Sequence, residues 1–401
     1  QAYDAVQTGI EEGVSSINFE NITLPANEQT LQFLKARLAN TTNPNVEDTP
    51  TPDNTLKEQS KSSGPIILTT ADNFTEVAWL PNRKLRTSEL EPAIPSSITT
   101  SLKDHQIKSF TWQVDAWKAG LPGILNADEQ GLGKTLQTIA FLVWLNEHMK
   151  RQKTVQRGPI LVVAPTSLLQ NWEKEVKDHV EMPGLGQLIP LYGSTIKQRR
   201  IKDKKTGQDV DDGEAHLDFS ELEKQINNGK GHLNWVLTTY KTLTNYQHSL
   251  AKIPFAAAVF DEIQNIKNPG TLAANASRAM NADFRIGLTG TPIENTTVDL
   301  WAIMDQLTPG ALGSLEDFRQ RYGEANEQNM QELHSRVFES HDELPPLALR
   351  RLKENVARDL PSKTRFLHPR KMSELQASRY EEARAKFSAG SLGDALKRLH
   401  H

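Results

Sequence analysis

From Leu102 onward, short apolar runs bounded by polar turns alternate with stretches of helical periodicity, and this alternation leaves few folds open. The runs are Gly123-Ile124-Leu125, Ile160-Leu161-Val162-Val163-Ala164, Trp235-Val236-Leu237, Ala256-Ala257-Ala258-Val259-Phe260 and Arg285-Ile286-Gly287-Leu288. A strand with one wet face alternates apolar and polar residues. A run that is apolar throughout needs cover on both faces, as in a parallel sheet. Between the runs lie helical patterns; one starts near Lys134 and carries Leu136, Ile139, Ala140 and Val143 on one face. The pattern predicts an α/β domain, a parallel sheet with helices on both faces. Ligands of such sheets sit at the carboxyl ends of the strands, and the polar motifs of this chain follow its strands.

The remaining composition sets bounds. A chain of 401 residues holds two or three domains at roughly 150 residues each. No apolar run is long enough to predict a membrane span. There are no cysteines, which excludes disulfides and cysteine-based metal sites and fits an intracellular protein. The Asn-x-Ser/Thr matches at Asn21 and Asn295 then read as chance. The first residue is Gln1, which reads as a fragment or a chain lacking residues at its start. The net charge of −4 argues against wholesale DNA wrapping. It leaves room for a local basic face at Lys197, Arg199, Arg200, Lys202, Lys204 and Lys205, with a solvated loop as the plainer alternative. Residues 1–99 are expected to form an accessory region open to protein partners. Within it Leu31, Phe33, Leu34 and Leu38 have helical spacing, residues 40–65 read as a linker, and strand-like pieces occur at 66–68 and 77–80.

Asp128-Glu129-Gln130-Gly131-Leu132-Gly133-Lys134-Thr135 lies between a strand and a helix and ends in the Gly-Lys-Thr of a phosphate-binding loop. Gly131 and Gly133 let the backbone fold tightly so that its N–H groups face phosphate oxygens, and the helix start adds positive potential. Lys134 would reach the β- and γ-phosphates, and the Thr135 hydroxyl would bind Mg²⁺. Asp128 departs from the general pattern, which has glycine there. A second acidic element ends the Ala258-Val259-Phe260 run. Asp261 is placed to hold the Mg²⁺ hydration shell and Glu262 to orient the attacking water. An acid closing a buried strand is costly without such a role.

With these residues in hand, the chain resembles the SWI/SNF-type DNA translocases of helicase superfamily two. Asp-Glu-x-Gly-Leu-Gly-Lys-Thr is that family's phosphate loop, so Asp128 is expected. Asp261-Glu262-Ile263-Gln264 resembles its acidic box. Leu102-Lys103-Asp104-His105-Gln106 resembles its adenine-reading segment, with Gln106 as the contact. Leu288-Thr289-Gly290-Thr291-Pro292 resembles the motif that couples hydrolysis to DNA movement. The segment Val163 to Leu169 with Trp172, and Leu237-Thr238-Thr239-Tyr240, resemble DNA-contacting motifs. Leu349-Arg350-Arg351 through Asp359 to Lys363 resembles the stretch leading out of the lobe, and Ala395 to Leu399 the helix before a second lobe.

The resemblance implies a RecA-like ATP-binding lobe at 100–345, an exit segment at 346–401, and a second RecA-like lobe whose arginines complete the ATP site. It implies ATP and Mg²⁺ as cofactors, with Lys134, Asp261 and Glu262 catalytic. Gln106, Asp128, Gly131, Gly133, Lys134, Thr135 and Gln264 would hold nucleotide, and Thr135 and Asp261 the metal. It further implies double-stranded DNA, bound largely without sequence preference through Thr166, Ser167 and Thr239, and coupling through Thr289, Gly290 and Thr291. Plainer roles compete: helix or turn caps for the threonines and Ser167, core for Trp172, a surface amide for Gln106, a solvated face for Arg350 and Arg351. His105 has no partner spacing for a metal. A strand-separating helicase, an RNA-directed motor and a non-catalytic switch or scaffold stay open. Remodelling of protein–DNA complexes, transcription recycling and antiviral defence all fit. The lack of cysteine and of histone-binding features points to a prokaryotic, nucleoid-associated cytoplasmic protein, with the nucleus as alternative.

Overall fold

The computed structural model describes residues 6–8, 10, 14, 16–19, 22–25, 30, 85–88, 90–152, 157–201, 207–324, 326–341, 343–356 and 366–388. Residues 1–70 and 71–401 form two compact units. In the first, β1 (Ser16–Phe19) and β2 (Ile22–Pro25) pair antiparallel, with Phe19 opposite Ile22. The apolar spacing at 31–38, the linker at 40–65, the pieces at 66–68 and 77–80, Lys202 to Lys205, Asp359 to Lys363 and Ala395 to Leu399 lie outside the described residues.

The second unit is built on a seven-stranded sheet of β3 (Gly123–Asn126), β4 (Ile160–Val163), β5 (Gln187–Leu191), β6 (Asn234–Thr238), β7 (Ala257–Asp261), β8 (Arg285–Leu288) and β9 (Ala348–Leu349), in the order β5-β6-β4-β7-β8-β3-β9. Every pairing in it is parallel. The expected strands are all present, and two more join them. β5 escapes the apolar pattern because it is an edge strand, with Gln187 exposed and Pro190 tolerated where a ladder donor is dispensable. β9 is only two residues long, too short to read as a strand, and it opens the stretch expected to lead out of the lobe.

Successive residues of the central strands feed two separate cores, as the period-two pleat requires. Ile124, Ile160, Val162 and Val259 pack on one face with α1 (Asp104–Lys118), α2 (Lys134–Arg151) and α3 (Leu169–His179). Leu125, Leu161, Val163, Ala258 and Phe260 pack on the other. There they meet α4 (Tyr240–Asn245), α5 (Leu272–Arg278), α6 (Thr297–Leu307), α7 (Leu315–Tyr322) and α8 (Glu327–Phe338). Leu136, Ile139, Ala140 and Val143 of α2 are all buried as expected. Each large aliphatic side chain so buried stabilises the fold by about 1.5–3 kcal/mol. The sheet is the RecA-like fold expected from the sequence.

From β3 the chain crosses to β4, leaving a gap that β7 and β8 later fill. Ligand crevices of such sheets form where strand order reverses in this way. Along the carboxyl edge the loops therefore stand in the order β6, β4, β7, β8, β3, β9, bringing motifs from residues 128 to 351 onto one rim. No described helix is long and apolar enough to cross a membrane.

Candidate nucleotide and DNA site

The loop after β3 is shaped by its two glycines. Gly131 and Gly133 have φ of +87° and +81°, in the left-handed region that L side chains rarely adopt. A Cβ on Gly133 would lie 2.3 Å from Gln106 Nε2, and one on Gly131 would lie 3.0 Å from Lys353 Nζ. Side chains at either position would fill the cradle, so the loop is one that a phosphate chain fits. Lys134 and Thr135 follow, half-buried, in the first turn of α2. The Lys134 ammonium donates to the Asp128 carbonyl at 2.9 Å. Burial pushes that ammonium below the ordinary lysine range, against the pull of the Glu262, Asp128 and Asp261 carboxylates. The Thr135 hydroxyl and Asp261 carboxylate are hard oxygen donors of the kind Mg²⁺ takes.

The loop rests on buried polar groups that sequence reasoning passed over. Asn126 accepts from the Asp128 N–H at 3.2 Å and donates to Gln137 Oε1 at 2.8 Å, and Gln137 in turn donates to the Leu132 carbonyl at 2.9 Å. Asp128 is fully buried, and Arg351 grips its carboxylate through Nε at 2.9 Å and Nη2 at 2.5 Å. Arg351 is thus no solvated residue. It belongs to a seam in which the Glu129 N–H donates to the Arg351 carbonyl at 2.9 Å and the Lys353 N–H to Glu129 Oε2 at 2.7 Å. Arg350, exposed, reaches the Gly290 carbonyl at 3.5 Å. Gln106 is buried, not a surface amide, and donates to the Leu132 carbonyl at 3.4 Å beside His105, whose Nε2 lies 3.2 Å from the same oxygen.

At the end of β7, Asp261 is almost wholly buried. Its Oδ1 accepts from the Glu262 N–H at 3.0 Å and its Oδ2 from Trp172 Nε1 at 2.8 Å. Burial raises the Asp261 carboxyl above the usual range, with Glu262 adding to the rise, while the Trp172 indole, the Glu262 N–H and Lys134 hold it down. Glu262 sits at φ 51°, a left-handed conformation that costs a non-glycine residue about 1–2 kcal/mol. Its carboxylate is aimed by Gln264 Nε2 at 2.7 Å, and its carbonyl accepts from Asn265 Nδ2 at 2.7 Å. Gln264 therefore stands behind Glu262.

After β8, the Thr289 N–H donates to the Asn126 carbonyl at 3.1 Å and Thr289 Oγ1 accepts from the Thr291 N–H at 3.0 Å. Gly290 packs against the phosphate loop: a Cβ there would lie 3.9 Å from Lys134 Nζ. Lys267 ion-pairs with Glu294 and, at 3.6 Å, with Asp299, tying the loop after β7 to the loop after β8.

The expected DNA residues divide. Thr166 and Ser167 are exposed on a short 3-10 turn after β4. Thr239 is buried, and its hydroxyl caps α4 by accepting from the Thr242 N–H at 3.1 Å, so its side chain takes the plainer role. In the basic stretch, Arg199 lies over the Phe219 ring with 5.7 Å to its centre and Arg200 donates to the Tyr246 hydroxyl at 3.0 Å, so neither is a free surface charge. A cavity of about 580 Å³ lined by Leu121, Pro122, Thr308 and Arg336 contains none of the motif residues.

With this geometry set out, the likenesses to known proteins are specific. The SNF2-related domain matches residues 105–399. The chain is 38% identical over 306 residues to the Zorya protein ZorD of Escherichia coli O139:H28, covering 74% of this chain and 27% of that protein. It is 30% identical over 306 residues to the ISWI chromatin-remodeling complex ATPase CHR11 of Arabidopsis thaliana, covering 76% of this chain and 26% of that protein. The chain spans about a quarter of the length of these curated relatives. Its fold is similar to the Sulfolobus solfataricus SWI2/SNF2 ATPase core in complex with dsDNA, with a TM-score of 0.50 and 29% identity over 77% of this chain and 59% of that one. The motif residues stand on one rim, the match covers most of the chain, and the chain belongs to the SNF2-related domain family.

Proposed function

We propose that this chain is the first motor lobe of an ATP-driven translocase on double-stranded DNA. The observation that carries this is the order of loops along one sheet edge, from the exposed Thr166–Leu168 turn through Asp261 and Glu262 to the glycine cradle and Lys134. The likeness to a SWI2/SNF2 core solved with dsDNA supports the choice of duplex over RNA.

In this account Lys134 and the loop N–H groups hold the phosphates, Gln106 meets the adenine, and Thr135 and Asp261 hold Mg²⁺. When bound, Mg²⁺ neutralises charge on the phosphates. Glu262, aimed by Gln264, orients the attacking water and takes its proton. Asp128, locked by Arg351, fixes the carbonyl that receives Lys134. Thr166 and Ser167 hold the DNA backbone, which carries no base information, so tracking is independent of sequence. Thr289, Gly290 and Thr291 pass the nucleotide state to the DNA side. A second RecA-like lobe supplies the remaining charge at the γ-phosphate, the 346–401 stretch leads towards it, and the 1–99 region serves protein partners. The higher identity to a bacterial Zorya protein than to a plant remodeller favours a prokaryotic, cytoplasmic, nucleoid-associated role in antiviral defence.

Phosphate release and triplex displacement on duplex DNA test this in a polypeptide that joins the chain to the proposed second lobe. Duplex-stimulated turnover that disappears in Lys134→Ala is the result expected. Turnover indifferent to duplex, or equal in the variant, contradicts it.

A further inference from the structure

Two hydrogen bonds run from the DNA side of the rim to a single residue of the nucleotide side. Trp172 lies in the first turn of α3, just after the exposed Thr166–Leu168 turn, and its side chain is fully buried. Its indole N–H donates to Asp261 Oδ2 at 2.8 Å. Tyr240 opens α4 directly after Thr239, and its hydroxyl donates to the Asp261 carbonyl at 2.8 Å. The two donors come from the loops after β4 and β6, and β4 lies between β6 and β7 in the sheet. Each arm is specific. The Asp261 Oδ1 is already taken by the Glu262 N–H, so the indole fixes the rotation of the carboxylate. The tyrosine bond fixes the backbone at the point where the chain enters the left-handed turn of Glu262.

We propose that Trp172 and Tyr240 are positioning residues that tie the elements after β4 and β6 to Asp261, Trp172 through its carboxylate and Tyr240 through its main-chain carbonyl, so that duplex binding and Mg²⁺–nucleotide binding are coupled through them. The inference rests on the proposed function and names how the two halves of the site sense one another. Duplex bound at Thr166 and Ser167 shifts the turn that leads into Trp172, and the adjacent end of β6, which carries Tyr240, moves with it. An indole or phenol moved by a few tenths of an ångström rotates the carboxylate or shifts its carbonyl, because hydrogen-bond strength falls steeply with angle. Burial makes Asp261 dependent on its donors, since a buried carboxylate that loses one is left partly unsatisfied. Coupling of this kind is reciprocal: whatever factor duplex applies to nucleotide affinity, nucleotide applies to duplex affinity.

The test uses the 401-residue chain, a fluorescein-labelled duplex followed by anisotropy, and mant-labelled AMP-PNP in Mg²⁺ or in EDTA. In the unaltered chain, saturating Mg²⁺ and AMP-PNP change duplex affinity by about fivefold or more, with the same factor in the reverse titration. Trp172→Phe keeps an aromatic ring and removes the donor. Tyr240→Phe removes a single oxygen and guards against a packing defect in the first variant. Both bring the coupling factor below about twofold, and Trp172→Phe weakens the Mg²⁺-dependent part of nucleotide affinity by about tenfold, the loss of one bond to a charged group. Neither changes nucleotide affinity in EDTA, where Asp261 would hold no metal. Full coupling retained in both variants overturns the inference and leaves the proposed function standing. Binding of both ligands with no coupling in the unaltered chain also overturns it. Failure to bind either ligand removes the proposed function, and the inference with it.

Discussion

The two ends of the sheet's carboxyl edge are built on different principles. At the β8-β3-β9 end a set of polar side chains is buried and held in place: Asp128 by Arg351, Asn126 by Gln137, Gln106 by the loop backbone. At the β4-β6 end the polar side chains that face outward, Thr166 and Ser167, stand on a short exposed turn. A cradle for a small polyanion gains from rigidity, because preorganised donors need no rearrangement when charge develops. A surface that must release and regrip a long polymer gains from a few modest contacts. Asp261 sits where the two regimes meet, buried like the first and hydrogen-bonded to elements of the second.

The sharpest way to break this comparison is to remove function from the rigid end without disturbing its frame. Glu262→Gln keeps size and shape, retains ATP and lowers duplex-stimulated phosphate release by about 10³-fold, within the range for loss of a general base. Retained wild-type turnover would move the water-activating role elsewhere. Arg351→Ala attacks the frame itself. It leaves the Asp128 carboxylate buried and uncompensated and costs about 3–5 kcal/mol of stability, read by urea unfolding followed through tryptophan fluorescence. A loss under 1 kcal/mol would mean that the pair is solvent-screened and that the seam along β9 holds by backbone bonds alone.

At the exposed end the expected effects are smaller and fall on binding. Replacing Thr166 and Ser167 by alanine would remove the two proposed hydroxyl bonds to phosphate, charge-assisted but solvent-exposed, at about 0.5–1.5 kcal/mol each, and duplex affinity drops with no change in melting temperature. Thr239→Ala does the reverse: loss of the α4 cap costs about 1 kcal/mol of stability while duplex affinity holds. If both substitutions altered duplex affinity equally, the division between exposed contacts and buried cap would collapse. The smallest change is at Lys197. If it contacts a phosphate, Lys197→Ala reduces the slope of log affinity against log salt by about 0.9. Lys197 is the cleaner probe, because Arg199 and Arg200 also hold Phe219 and Tyr246.

Those same residues mark where sequence and structure part company. The glycine cradle was legible because its glycines, lysine and threonine are contiguous and flanked by a strand and a helix. The central strands were legible because double burial leaves an unbroken apolar run. Arg351 was not, since its partner lies 223 positions away and no local pattern announces a long-range ion pair. Trp172 is core, the plainer of its two readings, but burial says nothing about where an indole N–H points. Asn126 and Gln137 offered a signal in hindsight: each is a polar residue set into an apolar run, where an unpaired amide would be costly. Thr239 was ambiguous in principle, because a threonine after a strand suits a phosphate contact and a helix cap equally well.

The central claim, a lobe that holds nucleotide and duplex yet needs a partner lobe to turn over, is tested most directly by ATP hydrolysis with and without duplex. The 401-residue chain is compared with a longer polypeptide in which the proposed second lobe follows it. The account predicts that the chain alone binds Mg²⁺–nucleotide but hydrolyses it slowly. The longer polypeptide is stimulated by duplex and runs about 10³-fold faster or more, the contribution of arginines across the cleft. Equal duplex-stimulated turnover by the two would contradict it.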